Sequence, residues 1–224
     1  MTLSIAGRCA RTGQFGIAIT SSSPAVAARC AWVRAGVGAA CTQNITDPRL
    51  GTRLLDLMAD GASPREAMAT LVEGEPLIQF RQLSAIDATG EPAMWSGSGT
   101  LGLYASATGP NCVAAANLLA SEEVPLEMVG AFAEQPDADL GDRLLAGLAA
   151  GVAAGGEAGP VHSAGLLIAW DVPWPVTDLR VDWADDPIHA LTALWRLWRP
   201  QAADYRQRAL DPGAAPSYGV PGDE

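Results

Sequence analysis

Strand patterns in this chain come in hairpin-linked groups, and helix patterns come in pairs between them. Residues 3–8 (LSIAGR) and 15–20 (FGIAIT) read as strands around the turn RTGQ, where Gly13 can take a positive φ. Residues 35–43 (AGVGAACTQ) supply a third strand, whose small side chains allow close layer packing. Two helices follow. TDPRLGTRLLDLMADG has Asp47 as cap, Pro48 in its first turn and Gly61 as its stop. SPREAMATLV opens on a capping box, Ser63 with Glu66, and has Pro64 at the first helical position. Leu54, Leu57 and Met58, then Ala67, Met68 and Leu71, keep helical spacing. A hairpin returns over residues 81–97, turning at 87–90, and NCVAAANLLA adds a strand ending at Asn117. PLEMVGAFAEQ and the alanine-rich DLGDRLLAGLAAGVAAGG form a second helix pair, closed by Gly155 and Gly156. Strands SAGLLIAW and TDLRVDW and a helix capped by Asp186, with Pro187 behind it, complete the series.

This block order argues against a parallel doubly wound sheet, in which strands and helices alternate singly. It predicts an α+β fold of two mainly antiparallel sheets stacked face to face, with helices on both outer sides. That is a four-layer αββα sandwich, with the first strand central in its sheet, formed as one domain over residues 1–200. Residues 201–224 read as a Pro/Gly-rich C-terminal arm. With the large aromatic surface of ALTALWRLWRP before it, such an arm suits a homo-oligomer, lying across a neighbouring subunit.

A chain of 224 residues, 49% hydrophobic and 17% charged, can bury a substantial core. The net charge is −11, and all 14 basic residues are Arg, with no Lys. That balance argues against nucleic-acid binding, which needs a basic patch to displace counterions. No apolar run reaches the roughly 18 residues of a membrane span, and no basic region followed by an apolar stretch marks a signal peptide, so a cytoplasmic protein is expected. Cys9, Cys30, Cys41 and Cys112 show no CxxC spacing and the two His have no neighbouring ligands, which predicts buried free thiols and no metal or cofactor. Without Lys, chemistry that needs an aliphatic amine must take it from the N-terminus.

Thr2 follows the initiator Met, and Thr is small enough for that Met normally to be trimmed. The product would carry a hydroxyl nucleophile and, in its own α-amine, a general base. Many chains begin Met-Thr, so the dipeptide by itself is also consistent with an ordinary strand residue.

Several separate stretches resemble one family in the right order. They are TLSIAGR at the start, WVRAGVGAACTQ at 32–43, DPRLGTRLLDLM at 47–58, RQLSAIDATG at 81–90, ANLLA at 116–120 and LRVDWADDPI at 179–188. On these the chain resembles the DUF1028 family from Thr2 to about Trp198, and the family's fold is similar to the N-terminal nucleophile (Ntn) hydrolases. The resemblance implies the αββα sandwich and a nucleophile at Thr2. Many members carry a Lys in the pattern V-A-S-K after the second strand. Here the stretch is ITSSSPAV, with Ser22 at that place, so neutral donors must serve, or Arg8 or Arg29 must supply the positive charge.

Thr2 and Ser4 share one face of the first strand, because side chains alternate with period two. Thr2 is the expected nucleophile, and Ser4, which would need an external base, is the alternative. Ser21, Ser22 and Ser23, where the second strand gives way to a loop, suit orientation of the amine, binding of a substrate carboxylate, or a plain turn. Gln43 and Asn44 end the third strand, where their amides suit an oxyanion hole or recognition of an amide or ureido group. Asn117 closes its strand in the same way and is expected among the catalytic residues. Arg8 is the arginine assigned to substrate binding. His162 reads as a surface histidine, since it and Ser163 point to opposite faces. The expected function is hydrolysis of a small-molecule amide, ureido or cyclic-amide C–N bond. The alternative is a noncatalytic binding or assembly protein that retains the fold.

Overall fold

The computed structural model describes residues 2–222. In chain order they form β1 (Thr2–Arg8), β2 (Phe15–Ser21), the one-turn helix α1 (Ala27–Cys30), β3 (Ala31–Arg34), β4 (Gly38–Asn44), α2 (Arg49–Ala59) and α3 (Pro64–Gly74). Then come β5 (Arg81–Asp87), β6 (Pro92–Ser96), β7 (Tyr104–Gly109), β8 (Cys112–Asn117), α4 (Val124–Ala133) and α5 (Leu140–Ala153). β9 (Ser163–Ala169), β10 (Thr177–Val181), α6 (Pro187–Trp198) and α7 (Ala202–Leu210) close the chain.

The strands make two antiparallel sheets, in the order β10-β9-β2-β1-β8-β7 and β3-β4-β5-β6. β1 is an inner strand, as its sequence predicts. Alternation along it separates two cores. Leu3 and Ile5 turn, with Ala114 and Ala116, towards Met128, Phe132, Leu144 and Leu148 of α4 and α5 and Trp195 of α6. Ala6 turns the other way and joins Ile17, Ile19 and Val113 against Ala39, Cys41 and Ile86 of the second sheet. Behind that sheet, Ala40, Leu83 and Ala85 pack on Leu50, Leu54, Met58 and Leu71 of α2 and α3. α2 can lie this close because of Gly51, where a Cβ would come within 1.8 Å of Trp32 Cδ1. The inner strands therefore have no wet face.

Helix ends follow the residues that mark them. Ser63 Oγ accepts from Glu66 N at 3.3 Å while Glu66 Oε2 accepts from Ser63 N at 2.9 Å, the expected box. Asp186 accepts from His189 N at 3.1 Å and caps α6. Asp47 sits one residue further out than its cap reading: Pro48 holds the cap position, and Asp47 Oδ1 accepts from Arg49 N at 3.1 Å. α2 ends at Ala59, with Gly61 at φ +99° just beyond.

Five elements differ from the sequence reading. The stretch 35–43 is not one strand, because 35–37 turn between β3 and β4. α1, β3 and β7 are additional. α7 is also additional, and it occupies part of the expected arm. That arm folds back on its own chain: Tyr205 stacks on Trp198 with centroids 5.0 Å apart, Tyr218 meets Tyr205 edge-on at 5.9 Å, and Arg208 lies 3.9 Å over the Tyr218 ring. No helix among the described residues is long and apolar enough to cross a membrane.

Candidate functional site

At one end of the strands the layer between the sheets turns from apolar to polar. Period two puts Thr2 and Ser4 of β1 on the inner face of the first sheet. β8 pairs Asn117 with Thr2 there, and the β1–β2 register, with Leu3 opposite Thr20, brings Ser21 level with Thr2. From the second sheet, Gln43 of β4 and Gln82 of β5 face them as a cross-strand pair, and Ser96 of β6 lies beyond Gln82. Thr2, Ser4, Ser21, Gln43, Gln82 and Asn117 are all buried.

These side chains bond to one another. Ser4 Oγ donates to Gln43 Oε1 at 2.7 Å. Gln43 Nε2 donates to Gln82 Oε1 at 2.7 Å and to the Ala115 carbonyl at 3.0 Å. Gln82 Oε1 also accepts from Asn117 Nδ2 at 3.0 Å, while Gln82 Nε2 donates to Ser96 Oγ and the Ala116 carbonyl, both at 3.1 Å. Each glutamine amide has two N–H groups, so those of Gln43 and Gln82 are fully committed. Asn117 retains one N–H, and its Oδ1 is buried with no partner. The network therefore ends in an open amide beside Thr2. Gln43 is thereby corrected from oxyanion donor to support, since neither of its N–H groups is free to turn towards a substrate.

Of the residues expected to bind substrate, Ser21 lies at this end of β2, with its Oγ 2.8 Å from Ser23 Oγ. Ser22 is at the rim, its backbone N–H donating to Glu157 Oε2 at 3.3 Å. Asn44 does not join the group. At φ +71° it turns outward, where Nδ2 donates to the Phe80 carbonyl at 2.6 Å and Oδ1 accepts from Leu101 N at 3.2 Å, tying two loops together. Arg8 is six residues along β1 from Thr2, roughly 20 Å away at strand rise. Its Nη1 donates to Asn111 Oδ1 at 3.0 Å, so it is not placed to meet a substrate at Thr2. Arg29 donates to the carbonyls of Pro24 and Ala25. His162 is half-buried, stacked on Trp183 at 4.3 Å, while Ser163 is buried and donates to the Ser23 carbonyl at 2.6 Å. Met1, whose removal the expected chemistry requires, lies outside the described residues.

Gln82, Ser96 and Glu157 were not among the residues singled out from the sequence. Glu157 is 6% exposed; its Oε1 has no partner, and burial pushes its carboxyl up to about 7. All four cysteines are buried free thiols. Burial raises Cys41 well above the ordinary thiol range and Cys112 to about 11, so neither supplies a thiolate near neutral pH. Among the described residues no three His, Cys, Asp or Glu side chains are grouped to hold a metal ion.

Residues 2–191 match DUF1028, a family of unknown function. The chain belongs to that family. A crystal structure of a DUF1028 protein from Silicibacter pomeroyi is similar to it at a TM-score of 0.85 and 28% identity, covering 92% of this chain and 90% of that one. The Anbu (Gly-1) mutant from Hyphomicrobium sp. strain MC1 is similar at a TM-score of 0.41 and 13% identity over 91% of this chain and 96% of its own. Anbu from Yersinia bercovieri scores 0.41 at 8% identity, over 92% and 97%. Those two likenesses are too slight to assign either a fold or a chemistry. No curated protein matches the chain. The match to DUF1028 spans every residue of the polar network and stops before α7.

Proposed function

We propose that this DUF1028 protein is an Ntn-type hydrolase of the cytoplasm that cleaves a small-molecule amide, ureido or cyclic-amide C–N bond. The two helix-backed sheets are read as the four-layer αββα sandwich of that group. One observation carries the reading. A hydrogen-bonded chain of buried side chains interrupts an otherwise apolar layer and ends in an open amide, Asn117, beside Thr2. Burying an acceptor without a partner costs on the order of 1–3 kcal/mol, a cost that a substrate donor would relieve.

In this reading, release of Met1 frees the α-amine of Thr2. Thr2 Oγ attacks the carbonyl carbon as its proton passes to that amine, through water where the distance requires it. The remaining Asn117 N–H donates to the oxyanion, and Oδ1 accepts from the substrate N–H. The ammonium returns its proton to the leaving nitrogen as the C–N bond breaks. Water, deprotonated by the same amine, then attacks the Thr2 ester and releases the acid. Ser4 holds Gln43, which holds Gln82, which holds Asn117.

A noncatalytic binding or assembly role is the second reading. It is favoured by the complete internal satisfaction of the Gln43 and Gln82 donors and by Ser22 at the place where many relatives carry Lys. Turnover against a library of amides and ureides, with Thr2→Ala as control, decides between the two. Hydrolysis lost in Thr2→Ala supports the enzyme, whereas retained Met1 in protein purified from its native host supports the binding protein.

A further inference from the structure

β1 begins at Thr2, but the chain on either side of it runs on. β2 reaches Ser21, level with Thr2, and continues into Ser22. β8 ends at Asn117, opposite Thr2, and continues to Leu119. Glu157 touches both continuations. Its backbone pairs with Leu119 in an isolated antiparallel bridge, flanked by Ala120 N to Gly156 O at 3.1 Å and Ala158 N to Leu118 O at 3.0 Å. Its carboxylate reaches the other side, where Oε2 accepts from Ser22 N at 3.3 Å. A residue that contacts both neighbours of a strand beyond that strand's first residue spans the strand's head. Thr2, the first residue of β1, stands at that head.

We infer that Glu157 is a positioning residue of the proposed nucleophile: its buried, unpartnered Oε1 accepts a hydrogen bond from the α-amine of Thr2 once Met1 has been removed. The inference rests on the proposed role of Thr2. A buried carboxylate with one oxygen unpaired calls for a cationic donor. The groove beside Glu157, about 510 Å³, is lined by no basic side chain but His189, together with Asp185 and Asp186. Asp186 is committed to the His189 backbone. With Met1 still in place, the charge at the amino terminus acts on Glu157 against its burial, and the Ser22 hydrogen bond adds to it. During attack on a carbonyl, the amine takes the Thr2 hydroxyl proton and becomes an ammonium. Oε1 stabilises that cation until its proton passes to the leaving nitrogen, so no further acid or base is needed.

The absence of Lys makes the test clean, because the α-amine is the one aliphatic amine in the chain. In protein released from a cleavable fusion so that it begins at Thr2, the pH dependence of acetylation by trace acetic anhydride, read by mass on the N-terminal peptide, gives the midpoint of that amine. The midpoint should be about one unit or more higher in the wild type than in Glu157→Gln, which keeps an acceptor for Ser22 N. Equal midpoints overturn the inference. Should Glu157→Gln not fold, the Glu157 carboxyl is titrated by ¹³C NMR in wild-type protein before and after acetylation of the amine. A rise in its midpoint supports the contact, and an unchanged midpoint overturns it. Coupling without loss of activity in Thr2→Ala would overturn the role of Thr2 and leave the contact standing. An inactive Thr2→Ala without coupling would overturn the contact alone.

Discussion

Gln82 is the hub of the buried network, and replacing it with Met isolates its polar contribution. Met keeps nearly the same length and volume, so no cavity adds to the cost. The change removes four hydrogen bonds. Oε1 no longer accepts from Gln43 Nε2 and Asn117 Nδ2, and Nε2 no longer donates to Ser96 Oγ and the Ala116 carbonyl. Ser96 is half-buried and can turn to water. The other three groups are buried: the Ala116 carbonyl keeps its place in the ladder between β1 and β7, but Gln43 and Asn117 each lose the acceptor of a buried N–H, and Asn117 already lacks a partner at Oδ1. Two orphaned N–H groups at roughly 1–3 kcal/mol each, less the gain from an apolar side chain, give a loss of about 3 kcal/mol. Urea unfolding of the wild type and Gln82→Met at one pH measures it. A loss below about 1 kcal/mol would mean that water reaches these amides and that the layer is not sealed.

Three further outcomes follow from the packing and the charges. In the chain that carries Met1, burial raises Glu157 from 4.5 to about 7, so the folded state holds its proton more tightly than the unfolded state. Stability from this group is complete below pH 4.5 and falls by about 3 kcal/mol as pH rises through 7. Urea midpoints of wild type and Glu157→Gln should therefore diverge between pH 5 and pH 8, and parallel midpoints would contradict the burial. Ser63→Ala removes one side of the capping box and should cost about 1 kcal/mol in the same assay, with no change as the refuting result. Leu197 of α6 and Trp183 remain exposed although the tail covers Trp198. Light scattering at micromolar concentration should accordingly give a homo-oligomer, and a monomer mass would dispose of that expectation.

Helix ends were the most legible part of this chain, because capping is local: Ser63, Glu66, Gly61 and Asp186 act within a few residues of where they stand. The long-range part was not. In RQLSAID, apolar Leu83 and Ala85 alternate with Gln82 and Ser84, the pattern of a half-exposed strand. Only the pairing of β5 with β4 and the stacking of the first sheet show that the polar side is buried too. Gln82 was thus invisible as a site residue, whereas Gln43 and Asn117 could be found because each closes a strand. Glu157 gave no signal, since it lies in GGEAGP and its partners, Leu119 and Ser22, are distant in sequence. β7, YASATG, has too little apolar alternation to announce a strand, and α7 buries none of its residues and shows no stripe.

Whether Thr2 is the nucleophile is decided most directly by trapping its acyl ester. Protein beginning at Thr2 is treated with a slowly turning-over acylating amide and digested with trypsin, which releases TLSIAGR up to Arg8. The added mass is then located by fragmentation. The proposed chemistry puts the acyl group on the Thr2 hydroxyl, with none in Thr2→Ala and a retained adduct in Thr2→Ser. An adduct on Ser4, or hydrolysis that continues in Thr2→Ala, would contradict it.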